Sequence, residues 1–398
     1  MNHEPKPSKK HYIFFTKSTL PQPEAHIVHD VNTANAVANL GYSAVLVYLK
    51  KNRESLNPLD WFLPFRPQKP DSELKEYYRI GDRLQTIGLA MPYPISSSGN
   101  RWLNWSTYIC KYYFPRFVFP RTKILHTLDW NLAKTAVRAG IPVIYEREHD
   151  QFNKYDLDVV KSPLFQVAIT VADSVRENMI SMGMPPEKIV KLPLSFNSQF
   201  LTRYPEAAQW RDKLLANGRD KLVVYSGGLY GFKGVDLLLE VAQQLPDVQF
   251  AFAGGKPEQL QHYQEKTKKL NLDNATFLGY VQHQQLPALL QAANALAHPH
   301  LSGEASTFTS PLKFFEYLAS GMPIVATEIP PLLEFKKQNL IAGWCETDSV
   351  SAYKECLQET LAKYPRQEMG YSSQLEFAAQ FTWESRLEKI LSYTTIDC

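Results

Sequence analysis

Short apolar runs alternate with stretches of helical spacing along most of this 398-residue chain. After a polar tail at 1–10, residues 12–15 (Tyr-Ile-Phe-Phe) read as a buried strand. Residues 25–40 carry apolar positions at helical spacing and stop at Gly41, and residues 44–48 read as a second strand. The series restarts with strand 123–126, a helix to Arg138, and strands 142–145 and 167–170. A looser stretch over 192–220, with Pro193 and Pro205 and then a polar helix, reads as a connection. Beyond it the pattern repeats: strand 223–225, helix 235–244, strand 248–253, helix 258–270, strand 275–278, helix 284–292 and strand 295–297. Val235, Leu238, Leu239 and Ala242 stand at the i, i+3, i+4, i+7 positions of a buried helix face. Strand–helix–strand at this spacing predicts an α/β protein of two doubly wound, Rossmann-like parallel-sheet domains. Two such sheets facing across a cleft place ligands at the carboxyl ends of their strands.

The most informative segment closes this series. Ser310 is a favoured N-cap, Pro311 fits the first helical position, Gly321 suits a left-handed helix end, and Pro323 stops the helix. The strand 324–327 follows at once. The N–H groups of Leu312 and Lys313 would point out of the positive end of the helix, a site for a phosphate. Glu316, roughly a turn and a half further in, is placed to accept hydrogen bonds from a ribose beside that phosphate. A second anion-binding element is the turn Ser226-Gly227-Gly228-Leu229-Tyr230-Gly231-Phe232-Lys233-Gly234. Its glycines let backbone approach an anion, and Lys233 adds a mobile positive charge. It is neither a Walker A loop nor a Rossmann GxGxxG. Gly254-Gly255 and Gly279-Tyr280-Val281 close two further strand ends on the same edge, where the backbone of Gly279, Tyr280 and Val281 could read a base.

Composition narrows the classes. Hydrophobic residues make up 44% and charged residues 21%, with a net charge of +3. That is a globular composition, with too little positive charge to imply nucleic acid. The four cysteines show no metal-like spacing, the N-terminus lacks a signal-peptide core, and no apolar run reaches the ~18 residues of a membrane span. A cytoplasmic protein is the expectation. Residues 101–123 interleave Trp102, Trp105, Tyr108, Tyr112, Tyr113, Phe114, Phe117 and Phe119 with five basic residues. Such a patch suits peripheral docking at the inner face of a membrane, and a partly buried helix explains the aromatics equally well.

The Gly-Gly-Leu…Lys233-Gly-Val-Asp turn, the Phe277-Leu278-Gly279-Tyr280-Val281 strand end and the Ser-Pro-Leu-Lys-Phe-Phe-Glu-Tyr-Leu-Ala-Ser-Gly-Met-Pro segment resemble the donor domain of retaining GT-B glycosyltransferases of the family 4 type (glycosyl transferases group 1). Phe381-Thr382-Trp383-Glu384 resembles the start of that family's last helix, which crosses back onto the first domain. The likeness is strong over about 220–330 and weaker in the first half. It implies an acceptor-side domain at 11–198, a donor domain at 199–372 and a returning helix at 373–398. It further implies a nucleotide-diphosphate sugar as donor, a glycan or lipid-linked saccharide as acceptor, no metal and no other cofactor. Glu316 would hold the donor ribose, while Lys233 and the N–H groups after Ser310 would neutralise the leaving diphosphate. Many members carry an arginine where Gly228 stands and an acid where Phe308 stands, for which Glu304 is the candidate stand-in.

In the first half His126 and His149 follow successive strands, where the family places histidines that touch the donor sugar or the acceptor, with His149 the stronger candidate. The loop 17–26 after the first strand faces the cleft in similar enzymes. The Asp156-Leu157-Asp158 string matches a DxD metal motif only formally. Two alternatives to sugar transfer stay open: a catalytically degenerate nucleotide-binding scaffold, which Gly228 and Phe308 favour, and a nucleotide-sugar epimerase that needs no acceptor.

Overall fold

The computed structural model describes residues 10–22, 24–50, 65–89, 105–150, 152–215, 217–308 and 312–395. The chain divides into two compact units, Met1–Pro193 with Trp383–Cys398, and Leu194–Thr382.

The first unit is a seven-stranded parallel sheet of β1 (His11–Thr19), β2 (Ala44–Leu49), β3 (Gln85–Leu89), β4 (Thr122–Thr127), β5 (Val143–Arg147), β6 (Phe165–Thr170) and β7 (Ile189–Lys191). Their order is β3-β2-β1-β4-β5-β6-β7, so winding reverses between β1 and β4. Phe14 of β1 lies opposite Leu46 of β2 and His126 of β4. The central strands are buried on both faces, the expected state of a parallel sheet covered by helices. One face packs against the helix Ala25–Asn39 and the returning helix Trp383–Leu391, through Ile27, Val31, Trp383, Leu387 and Ile390. The segment from Ser372 to Ala379 is a helix of the second unit, and the chain re-enters the first at Trp383.

The second unit is a six-stranded parallel sheet of β8 (Lys221–Ser226), β9 (Val248–Ala253), β10 (Ala275–Gly279), β11 (Ala295–His298), β12 (Ile324–Thr327) and β13 (Ala342–Cys345), ordered β10-β9-β8-β11-β12-β13. Its switch point falls between β8 and β11. The helices Val235–Gln244 and Leu312–Ser320 are buried along most of their lengths. Gly321 ends the second of these at φ +74°, and Arg203 donates to the terminal carbonyls of Ala319 and Ser320. A cation on the last carbonyls favours the negative end of the helix dipole.

Part of the aromatic stretch at 101–123 belongs to the core. Residues 101–104 and the Trp105 side chain lie outside the described residues. From 109 the chain forms a wide helix, Ile109–Val118, in which Tyr113 and Phe114 are buried. Phe119 is buried too, and Tyr108 and Phe117 pack against the same cluster. These five rings pack with the first-unit core, while Tyr112 is half-buried. No helix among the described residues is long and apolar enough to cross a membrane.

Candidate functional site

The carboxyl edge of the second sheet is tied into one piece by glycines. Gly227 N–H donates to the Ala253 carbonyl at 2.9 Å, and Gly254 N–H donates to the Gly279 carbonyl at 2.7 Å. A Cβ on Gly254 would stand 2.1 Å from the Gly227 carbonyl oxygen, and one on Gly234 would stand 1.8 Å from that of Pro299. Both glycines have positive φ, so no other residue fits those approaches. Gly234 thus draws the turn after β8 against the segment after β11, and Leu301 N–H locks it by donating to the Phe232 carbonyl at 2.9 Å. These are the two strand ends that flank the switch point, the position where open α/β sheets bind ligands.

Lys233 sits at this junction. Its Nζ donates to His300 Nε2 at 2.7 Å and lies 5.0 Å from the centre of the Phe232 ring. Burial, and then the nearby charge of Lys313, push its pKa down to about 8. The imidazoles of His298 and His300 stack at 3.9 Å between centroids and are nearly parallel. Both are buried, and neither nitrogen of His298 nor Nδ1 of His300 has a protein partner. Burial, followed by the charge of Lys233, brings His298 to about 3. Burial and then His298 and Lys233 lower His300 further still, so both rings are neutral at physiological pH. This His-Pro-His segment was not singled out from the sequence; its signal was one histidine ending a central strand and a second two residues on.

Space beside Gly228 is taken by an exposed side chain, so a larger residue there requires Tyr230 to move. A Cβ there would meet the Tyr230 ring at 2.5 Å, and that ring stacks on Phe232. The aromatic pair fills the space from which an arginine stem would start.

The helix Leu312–Ser320 places Glu316 inside and Lys313 near the site. Glu316 is 3% exposed and accepts from Lys313 Nζ at 2.7 Å. The following Tyr317 anchors the helix to the end of β8: its hydroxyl accepts from Ser226 N–H at 2.7 Å and donates to the Ser226 carbonyl. Ser310, Pro311 and the predicted cap lie outside the described residues, as does the side chain of Phe308. Glu304 opens a separate short helix, Glu304–Phe308, on the surface. Gly279 is at φ +71° with Tyr280 exposed beyond it.

The histidines of the first unit separate. His126 is not at an open edge, which corrects the expectation. It shares a sheet face with Tyr12, Phe14 and Ile124, because strand side chains alternate and that face lies beneath the two helices. Its Nδ1 accepts from the Tyr12 hydroxyl at 2.8 Å, and its Nε2 donates to Glu146 Oε1 at 2.9 Å. Glu146 also receives Arg386 Nη1 at 2.9 Å and Nη2 at 3.2 Å, and His29 Nε2 at 2.8 Å. Burial opposes a charge on Glu146, but Arg386, then His29 and His126, outweigh it and hold its carboxyl well below the usual range. This is a buried structural knot centred on Glu146, in which His29 Nδ1 is the one imidazole nitrogen without a partner. His149 remains exposed after β5, in a loop folded around Arg147, whose Nε donates to the His149 carbonyl. The loop after β1 is pinned at Gln22, whose N–H and carbonyl both bond the Tyr78 hydroxyl. Asp156 and Asp158 pair with Arg138, which accounts for the DxD string. No cluster of potential metal ligands occurs among the described residues.

Two parallel α/β units of seven and six strands constitute the GT-B architecture of glycosyltransferases. The family model for glycosyl transferases group 1 matches residues 206–374, so the second unit carries that domain. The chain is similar to TuaH of Bacillus subtilis, named for teichuronic acid biosynthesis, with 23% identity over 46% of each chain. It is similar to O-antigen chain mannosyltransferase B of Escherichia coli, with 24% identity over 55% of this chain and 58% of that one. The matches thus span about half the length of these relatives. Among solved structures, Anabaena HepE in complex with UDP and glucose superimposes with a TM-score of 0.65 at 13% identity, covering 96% of this chain and 99% of that one.

Proposed function

We propose that the chain is a retaining, metal-independent glycosyltransferase that moves a hexosyl group from a nucleotide-diphosphate sugar to a hydroxyl of a glycan or lipid-linked saccharide. The observation that carries this reading is Lys233 at the switch point of a group 1 domain, with Glu316 and Lys313 on the adjoining helix. The UDP held by HepE supports a uridine donor, and the names of TuaH and mannosyltransferase B support a surface polysaccharide as acceptor.

In this reading Lys233 and the N–H groups of Leu312 and Lys313 bind the diphosphate, Glu316 accepts from the ribose, and the Gly279–Tyr280–Val281 backbone meets the base. His149 is the acceptor-side contact. The acceptor oxygen bonds to the anomeric carbon on the face from which the diphosphate leaves. The bond from that carbon to the phosphate oxygen breaks, and the hydroxyl proton passes to the departing phosphate. No enzymic nucleophile is required. The task of the protein is to stabilise charge that grows on the leaving group, which a fixed ammonium does well in a partly desolvated site.

Calorimetric titration with UDP, GDP, ADP and their sugar conjugates tests the site. One donor should bind selectively, and Lys233→Ala and Glu316→Ala should each weaken it by about tenfold or more. Binding unaffected by either substitution, or none by the native chain, would overturn the reading. The anomeric configuration of the product, read by NMR, tests retention.

A further inference from the structure

The Lys233–His300 contact bears on how a single lysine serves a site that lacks the arginine. A lysine stem has four rotatable carbons, and holding its ammonium in one place is entropically costly. A carboxylate partner would hold it but would cancel the field it exerts on a phosphate. Lys313 is in that situation, with Glu316 at 2.7 Å. Lys233 is held by a neutral ring instead, with Nζ at 2.7 Å from His300 Nε2.

We infer that His300 is a positioning residue for the diphosphate-binding lysine: its imidazole holds the Lys233 ammonium by one hydrogen bond, stays neutral, and leaves two N–H groups for phosphate oxygens. The inference rests on the donor-site reading above. The geometry fits it at each link. An ammonium has three donors and no acceptor, so His300 must accept at Nε2 and carry its proton on Nδ1. The ring is fixed from both sides of its chain. The Thr327 hydroxyl donates to the His300 carbonyl at 2.6 Å, and the next residue, Leu301, bonds Phe232 in the lysine's own turn. His298 stacks on the ring at 3.9 Å, so a second positive charge there would meet both a buried aromatic neighbour and Lys233. The cluster fixes the place of the Lys233 ammonium.

The test titrates UDP and GDP into the native chain, Lys233→Ala, His300→Phe and His300→Gln, with chemical unfolding of each protein alongside. His300→Phe keeps the stack and loses the acceptor; His300→Gln restores an acceptor oxygen. The expected result is a loss of about tenfold in nucleotide affinity for His300→Phe, with substantial recovery in His300→Gln and no matching order in unfolding stability. If Lys233→Ala weakens binding and His300→Phe does not, the donor site stands and the inference fails. If no nucleotide binds the native chain, the donor-site reading itself falls. Nitrogen NMR of histidine-labelled native protein reports independently of any ligand. His300 should be neutral with its proton on Nδ1, and a proton on Nε2 would overturn the tether even if the variants fail to fold.

Discussion

Each unit buries two histidines beside a charged group near the centre of its sheet, and the two clusters differ in how far their polar atoms are satisfied: one imidazole nitrogen is left over in the first and three in the second. In the first unit Tyr12, His126, Glu146, His29 and Arg386 bond one another, and Glu146 alone accepts four hydrogen bonds from three side chains. In the second, His298 and His300 stack face to face with three nitrogens unpartnered by protein, and the charged member is a cation at a strand-end junction. The first network leaves a single ring nitrogen, His29 Nδ1, without a partner, and a network so nearly satisfied fixes structure. A partly satisfied one beside an unneutralised cation has bonding capacity left for a ligand. Histidine after a strand is therefore a poor guide to function until its partners are known.

The largest effect should come from opening the buried knot. Arg386→Met leaves the Glu146 carboxylate buried with only histidines, and removing one member of a buried ion pair costs about 3–5 kcal/mol. Chemical denaturation should show that loss. Pairing it with Glu146→Leu removes both charges and should recover much of it. A loss below about 1 kcal/mol for Arg386→Met would break the contrast, since exposed pairs behave that way. Acid should act in the same direction. The Glu146 carboxyl is depressed in the fold, so its contribution is present above the ordinary carboxyl range and is lost as pH falls through its folded value.

Asp30, beside the knot, gives an intermediate effect of opposite sign. Burial raises its pKa to about 7, with His29 and Thr16 opposing the rise and Glu148 and Glu146 adding to it. A carboxyl raised in the fold contributes stability that is complete below its unfolded value and lost as pH climbs through about 7. Between pH 5.5 and 8 the native chain should therefore lose about 2 kcal/mol relative to Asp30→Asn. Parallel denaturation curves for the two proteins across that range would show that Asp30 is ionised at no cost.

The winding of both sheets was legible because parallel strands buried on two faces are continuous apolar runs, as at 44–48, 248–253 and 324–327. Three of the four edge strands were not. Gln85–Leu89 and Ala342–Cys345 each contain a glycine, and Ile189–Lys191 is only three residues long, so none carries enough apolar pattern to stand out. In the second unit, Lys233, Gly234 and Glu316 were visible because the local chemistry of a turn and a helix is written in consecutive residues. His300 was not, because its meaning depends on a contact 67 positions away in sequence. His126 misled for the same reason: its partners Tyr12 and Glu146 come from other strands, and only the register shows which face it occupies.

The smallest expected change is at His298, and it bears most directly on the contrast. This ring is buried and neutral, and neither nitrogen has a protein partner. His298→Leu should remove polar atoms whose burial is uncompensated, a gain of about 1–3 kcal/mol in principle. It also loses the stack on His300 and part of the packing against Phe314 and Tyr317, which costs an amount of the same order. The net change in unfolding free energy should lie within about 1 kcal/mol of zero, although the residue is as buried as Arg386. A loss comparable to that of Arg386→Met would mean that His298 makes bonds as strong as those of the first-unit knot, and the two clusters would then not differ in this way.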